Sequence, residues 1–303
     1  MDSLTHALVA AIVVYVLGFP HLIPFIVIGV VIIDADVIFS YFSDPHPSLY
    51  LFVHGGIAHS IFGVVVMTVL ACAGTWTAAL AGFIDPIILE KAGPVGFIAI
   101  LAGAFLHIAM DLPATPGIPL FAPKSDTKYA LFILPGPSLF MMAVSLVFLT
   151  WMATGIITPS QGIPAYLVIF AAFLLVRFVA FLVSRPGLRG TLRVIPQVNP
   201  LRWLAINDDG DAWKVQDYRI GRGMTEPAKY PKFKNTSPEE VARYLELPEV
   251  MRMRYSSYVV TAEKEGNTLI FSDPLRVSGR LFYPPHFKRV RIFLAGYDRT
   301  GMK

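Results

Sequence analysis

The sequence has almost no cysteine, with Cys72 alone among 303 residues. A single cysteine forms no disulfide within the chain and supplies no thiolate cluster, so a metal site here has to use nitrogen and oxygen ligands. The N-terminus also lacks the basic flank of a secretory signal, and we therefore expect the first apolar run to be retained.

Charge is scarce in the first 185 residues. Only 5 of the 25 Lys and Arg residues and 8 of the 21 Asp and Glu residues lie there, although 55% of the chain is hydrophobic. The remaining charges, with Lys and Arg in excess, follow Arg185. This distribution predicts a transmembrane domain over 1–185 and a soluble, basic domain over 186–303.

The first domain contains long apolar runs of the kind that form transmembrane helices of about 20 residues. Six such runs predict an all-α membrane fold of about six spans: Leu4–Phe19, Leu22–Phe39, Ala58–Phe83, Pro94–Met110, Tyr129–Thr154 and Ala165–Val183. We expect the polar Asp85–Gly93 segment to separate the third span from the fourth, and Pro135-Gly-Pro137 to kink the fifth.

The second domain has the pattern of a β-rich α+β fold. Two strands, Arg202–Ile206 and Ala212–Ile220, flank a turn signal at Asn207–Asp211. Ser237-Pro-Glu-Glu240 is a capping box that predicts a short helix through Leu245. Three further strands are predicted: Tyr258–Ala262, Thr268–Ser272 and Arg289–Ala295.

Histidine and aspartate recur at the ends of the predicted spans. His107 and Asp111 are four apart, so they lie on one face of a helix, where both can bind one ion. If the spans alternate across the bilayer, all such residues fall on one membrane face: His6, Asp34, Asp36, His54, His59, His107 and Asp111. Asp34 and Asp36 are about 200° apart on a helix, so both point inward only if the helix ends there.

These ligands favour zinc, with manganese or iron as alternatives, as one or two ions. Lys and Arg in short loops indicate the cytoplasmic side of a membrane. Lys124, Lys128 and Arg185 flank the face with the histidines, whereas the other face has Lys91 beside Glu90. We therefore expect a multi-pass cell-membrane protein with both termini, the metal site and the soluble domain on the cytoplasmic side.

Four motifs resemble one family. Met1-Asp-Ser-Leu-Thr-His6, Asp34-Ala-Asp36, His54-Gly-Gly-Ile-Ala-His59-Ser and His107-x-x-x-Asp111 are similar, in this order, to the membrane-bound metal-dependent hydrolases of the YdjM/DUF457 type. The resemblance covers about residues 1–190 and implies an integral membrane hydrolase, more distantly similar to zinc phospholipases C. The resemblance also implies that the seven residues given above are metal ligands. In the third motif Gly55 stands where the family usually has Arg, and Ala58 where it has Thr.

We therefore expect metal-assisted hydrolysis of a phosphoester, such as a lipid phosphate, at the cytoplasmic face. Asp34 or Asp36, whichever is not occupied by metal, would act as general base. Arg177 or Lys128 would bind the anionic substrate in place of the missing Arg, although Arg177 could equally snorkel to the surface. Two other classes stay open: a non-enzymatic metal-binding or transport protein, and a membrane anchor for a domain that binds lipid or protein. The tail lacks a nucleic-acid-binding signature, so nucleic acid is not an expected partner.

Overall fold

The computed structural model describes residues 2–294 and divides into two compact units. The first unit comprises the chain up to Phe42 and Leu51–Leu182. The second comprises Ser43–Tyr50 and the chain from Val183 onward. The residues from Ala295 to the end, including the last residue of one predicted strand, lie outside the described part.

The membrane-type helices belong to the first part of the chain. In order they are α1 (Ser3–Val16), α2 (Ile23–Asp34), the single turn α3 (Ser40–Ser43), α4 (Ile61–Leu80), α5 (Pro86–Asp111), α6 (Leu139–Ala153) and α7 (Pro159–Ser184). Short 3₁₀ segments continue α2 over Ala35–Phe39 and precede α4 over Ile57–His59.

Four helical segments of the described chain are long and apolar enough to cross a membrane. They are Pro20–Ser43, Ile61–Leu80, Pro86–Asp111 and Pro159–Leu188. Helices α1 and α6 have only 14 and 15 residues, fewer than the about 20 that a span requires. The membrane character of this part is confirmed, and the count of six spans stays a prediction.

The predicted break between the third and fourth spans is wrong in its position. Asp85 caps a helix, since its side chain accepts a hydrogen bond from Ile87 N at 3.0 Å, and Pro86 occupies the first turn. The polar segment is therefore the start of α5. Gly93 interrupts the helix with φ +53°, a conformation that glycine adopts freely, and Pro94 follows it.

The fifth predicted span is also too long. Residues 129–138 are not helical, and α6 begins only at Leu139, where Ser138 caps it. Between α5 and α6 the backbone instead forms turns and two isolated bridges, Ala114 with Leu134 and Ile118 with Tyr129. Pro135 and Pro137 lack backbone donors and so do not support a helix here.

Helices α2 and α5 approach each other at two glycines. A Cβ on Gly29 would lie 1.9 Å from Ile100 O, and one on Gly103 would lie 2.2 Å from Ile26 O. Small residues at such contacts are the usual means by which membrane helices pack closely. This packing aligns the last residue of α2, Asp34, with the last turn of α5.

Two sheets form the second unit, as the β-rich prediction requires. The first contains β1 (Arg193–Pro196), β2 (Arg202–Asp208), β3 (Ala212–Arg219), β4 (Gly223–Met224) and β5 (Ala228–Pro231), and all of its pairs are antiparallel. The second contains β6 (Phe233–Lys234), β7 (Thr261–Glu265), β8 (Thr268–Ser272) and β9 (Arg289–Phe293) in that order. Short helices accompany them: α8 (Pro238–Ala242), α9 (Pro248–Tyr255) and α10 (Pro274–Val277).

The predicted hairpin is confirmed, because β2 and β3 pair in antiparallel register across the Asp-rich turn. The predicted helix start is confirmed, with Ser237 Oγ accepting from Glu240 N at 3.2 Å, but the helix ends at Ala242 and not at Leu245. The Glu240 carboxylate accepts from Thr236 and Lys264, so the return bond of a capping box is replaced. The strand predicted to start at Tyr258 starts at Thr261. Tyr258 N instead donates to the buried Asp273 carboxylate at 2.9 Å.

Candidate metal centre

Four elements bring histidine and aspartate to one place. Asp34 ends α2, His59 ends the 3₁₀ turn before α4, and His107 and Asp111 occupy the last turn of α5. His6 lies near the start of α1. His6, His59 and His107 are almost completely buried. Buried polar side chains of this kind need partners, and they find them in one another.

The centre of the cluster is formed by four atoms: His59 Nε2, His107 Nε2, Asp34 Oδ1 and Asp111 Oδ2. The two nitrogens are 3.3 Å apart. His59 Nε2 lies 3.5 Å from Asp34 Oδ1 and 3.6 Å from Asp111 Oδ2. His107 Nε2 lies 3.4 Å and 3.3 Å from the same two oxygens.

The separations of each carboxylate oxygen from the two imidazole nitrogens match those between ligands of one tetrahedral ion. Nitrogen and oxygen ligands lie about 2.0–2.1 Å from zinc, so two ligands at the corners of a regular tetrahedron are about 3.3–3.4 Å apart. The five distances span 3.3–3.6 Å. The two imidazoles with either carboxylate therefore fit one divalent ion.

Contacts on the far side of the ligands hold them in orientation. His107 Nδ1 lies 2.9 Å from Val30 O, so a proton on Nδ1 leaves Nε2 free to bind metal. Asp34 Oδ2 accepts a hydrogen bond from the Ser3 hydroxyl. The His59 Nδ1 atom lies 3.1 Å from Asp36 Oδ2, close enough for charge attraction but without a hydrogen bond. Such outer contacts fix the ring tautomer of a ligating histidine.

Asp34 and Asp36 have different surroundings. The α-helix ends at Asp34 and a tighter 3₁₀ turn follows. The angle expected between Asp34 and Asp36 on a continuous α-helix therefore does not apply. Asp36 is fully buried, with Oδ1 2.7 Å from His54 Nδ1 and Oδ2 3.1 Å from the Gly55 N–H. Asp36 thus joins His54 to His59 rather than joining the four central atoms.

His54 lies at the outer side of the cluster, and 45% of its side chain is exposed. The hydrogen bond to Asp36 raises the pKa of His54 above its ordinary value, although burial acts in the opposite direction. The turn that presents it depends on glycine. Gly55 has φ +73°, and a Cβ on Gly56 would lie 2.1 Å from Leu51 O.

On the other side of the cluster, His6 packs against His107. The two Nδ1 atoms are 3.2 Å apart, and His6 Nε2 lies 3.4 Å from Asp111 Oδ1 without forming a hydrogen bond. A buried ring nitrogen without a hydrogen bond is costly unless something else binds it. Three groups in the described chain have ligand atoms within 4.8 Å of one another: His6, His107 and Asp111; Asp34, His59 and His107; Asp34, Asp36 and His54.

The structure thus brings all seven predicted ligands together. It places Arg177 within α7, largely buried, with its guanidinium 5.7 Å from the centroid of the Phe173 ring. Lys128 lies in the irregular segment between α5 and α6. A role for either residue in substrate binding stays a prediction.

Sequence reasoning missed three groups that contact the ligands: the Ser3 hydroxyl, the Val30 carbonyl and the Gly55 N–H. Ser3 precedes the first histidine by one helical turn, and this spacing was the available signal. Backbone groups have no side-chain signature, so the sequence could not have indicated the other two.

Apolar helices that enclose buried histidines and aspartates define an integral membrane protein with a candidate metal site. The family model described as "YdjM inner membrane protein" matches residues 1–184. The chain therefore belongs to the YdjM inner membrane protein family. No curated protein and no solved structure matches the chain.

Proposed function

We propose that this protein is a membrane-bound, metal-dependent hydrolase that cleaves a phosphoester at the membrane surface. The observation that supports the proposal is the set of four atoms offered by His59, His107, Asp34 and Asp111, in which each carboxylate oxygen lies at ligand spacing from both imidazole nitrogens. The set is held by outer contacts of the kind that tune metal sites. Of the candidate ions, zinc suits two imidazoles and two carboxylates best.

An ion bound by three of these four ligands would keep one position for water, lower the pKa of that water to about 7 and polarise a phosphoryl oxygen. The chain's own residues supply proton transfer. Asp36 and His54 share a proton across 2.7 Å, and the exposed side of His54 reaches water. This pair can therefore carry a proton between the buried cluster and solvent, which is the general-base role expected of Asp34 or Asp36.

Two observations favour a phosphoester over an acyl substrate. His6, His107 and Asp111 form a further ligand group beside the central one, and the seven nitrogen and oxygen ligands exceed those that one tetrahedral ion uses. Paired ions stabilise the attacking and leaving oxygens of an in-line phosphoryl transfer. The cluster also lies at helix ends, where a lipid headgroup can reach it. Lys128 and Arg177 are the proposed substrate-binding cations.

The proposal includes six spans and a cytoplasmic site. Ser3, at the start of α1, contacts Asp34, at the end of α2, so these two helices run antiparallel beside each other. A short helix that runs antiparallel along a spanning helix is placed to cross the same bilayer. Together with α6 this gives six spans, and the Lys and Arg residues near the histidines favour the cytoplasmic side.

The test is a panel of phospholipids, lipid phosphates, nucleotides and aryl phosphates, incubated with purified protein and zinc, manganese or a chelator. We expect phosphoester turnover that requires metal and falls at least about 100-fold in Asp111→Asn, because that change removes one ligand oxygen charge. Asp85→Asn is the matched control. It changes the cap at the opposite end of the same helix, where Asn also caps well, and should leave turnover unchanged.

Two results would contradict the proposal. Metal-loaded protein that cleaves a carboxylic ester or a peptide but no phosphoester would refute the substrate class. Stoichiometric metal without turnover of any substrate would favour the non-enzymatic metal-binding alternative.

A further inference from the structure

The first sheet of the second unit packs against the short segment that follows the last membrane helix in the chain. Gly187 follows Ser184, the last residue of α7, by three residues, and a Cβ on it would lie 2.5 Å from the Tyr218 hydroxyl. Tyr218 is in β3 and is paired with Trp203 of β2. The segment that follows α7 in the chain therefore packs on this end of the sheet.

Three arginines occupy that end of the sheet. Arg202 of β2 lies directly opposite Arg219 of β3, and Arg222 follows in the turn that Arg219 begins. Like charges in opposite positions on neighbouring strands destabilise a sheet. Among residues 2–294, none of the ion pairs involves any of these three side chains. The nearest acidic residue in β3, Asp217, lies 3.8 Å from Arg280 instead.

Exposed aliphatic side chains stand beside the arginines. Val198 and Leu201, in the turn between β1 and β2, are 83% and 44% exposed. A hydrogen bond of 3.1 Å from Ile220 N to Leu201 O joins this turn to the end of β3. We call the combined surface of Val198, Leu201, Arg202, Arg219 and Arg222 the basic edge.

The opposite end of the same hairpin is different. Its turn contains Asp208, Asp209 and Asp211, and the first two are paired with lysines, at 2.6 Å to Lys232 and 2.6 Å to Lys214. Charges at that end are balanced within the domain, whereas those at the basic edge are not. An external anion is therefore the missing partner at the basic edge.

We propose that the basic edge binds the anionic phospholipid headgroups of the bilayer that α7 crosses. Arginines near a membrane surface are attracted to anionic lipid, and aliphatic side chains between them can enter the headgroup region. The exposed side chains are aliphatic rather than aromatic, which favours lipid over the stacked bases of single-stranded nucleic acid. This proposal does not depend on the hydrolase assignment.

The experiment uses the full chain in nanodiscs with an environment-sensitive dye at Val198→Cys in a Cys72→Ala background. We expect the dye to enter an apolar environment in discs that contain phosphatidylglycerol and to stay aqueous in pure phosphatidylcholine. Each Arg→Gln change at 202, 219 or 222 should lower the ratio of the membrane-bound to the free basic edge about fivefold. Added salt should weaken binding, because exposed charges are screened.

Two controls separate docking from misfolding. The same dye at Asp211→Cys, at the acidic end of the hairpin, should stay aqueous in every disc, and the triple Arg→Lys variant should retain binding because it keeps the charge. An equal dye response in both lipid compositions would overturn the proposal. A dye response to soluble RNA but not to phosphatidylglycerol would also overturn the proposal.

Discussion

At the residue scale, Asp34 and Asp36 show how one backbone change separates two roles. Only Ala35 lies between them, yet Asp34 Oδ1 belongs to the four-atom set while Asp36 contacts the outer nitrogen of His59 and the ring of His54. The α-helix ends between them, so neither has to face lipid. A direct ligand and an outer contact should affect metal affinity to different extents.

The first prediction follows from that difference. Asp34→Asn should abolish stoichiometric zinc binding, because it removes one of the two carboxylate charges among the four ligands. Asp36→Asn should weaken it about 10- to 100-fold, the usual effect of losing an outer contact to a ligating histidine. Competition with a chromophoric chelator measures both, with His21→Ala as the control. Equal and complete loss in both aspartate variants would make Asp36 a direct ligand.

The sequence predicted the identity of these seven residues but not their grouping. The four motifs and their alternation across the bilayer placed all of them on one membrane face. Which atoms converge depends on the 3₁₀ turns around Asp36 and His59 and on the positive φ of Gly55. Such local departures from helical geometry have no periodic signature in the sequence.

At the element scale, hydropathy located the helices but misplaced two of their boundaries. A window average does not distinguish a helix from apolar chain in turns, as in 129–138, where two prolines prevent a helix. It also treats the charged start of α5 as a loop, although Asp85 and Pro86 are typical residues for a helix start. The packing of α2 on α5 at Gly29 and Gly103 depends on partners that a single sequence does not show.

That packing leads to the second prediction. Gly29→Leu should separate α2 from α5, because its Cβ alone would overlap the Ile100 carbonyl. We expect a loss of stability of at least about 3 kcal/mol, since overpacking costs 1–3 kcal/mol even in cores that can adjust. Thermal unfolding in detergent and zinc content should fall together, because Asp34 and His107 belong to these two helices. Gly74→Leu is the control, as no atom lies within 4 Å of its Cβ position. If the Gly29→Leu protein unfolded at a lower temperature but retained its full zinc content, this coupling would be contradicted.

At the scale of the whole molecule, the convergence of the ligands constrains the topology. His6 and His59 lie at helix starts, whereas Asp34 and Asp111 lie at helix ends. These four residues meet at one level only if α1, α2, α4 and α5 alternate in direction. The sequence predicted the two-part chain from the separation of charge and apolar runs, and the β-rich tail from its strand and turn patterns. It did not predict the second sheet's parallel β6–β7 pair, which joins strands far apart in sequence.

The last prediction tests the number of spans and the orientation together. With six spans, α1 takes the chain across the bilayer before α2 returns it, so the α4–α5 turn and the second unit lie on opposite sides. With only the four long helices crossing, both would lie on the same side.

Phe83 in that turn is 86% exposed, and Glu226 is an exposed residue of the second unit. We expect Phe83→Cys, in a Cys72→Ala background, to react with an impermeant maleimide on intact cells. Glu226→Cys should react only after permeabilisation, because the Lys and Arg residues beside α7 favour the cytoplasm. Labelling of both from one side would exclude six spans. External labelling of Glu226→Cys with protection of Phe83→Cys would keep six spans and reverse the orientation, and the proposed hydrolase site would then face away from the cytoplasm.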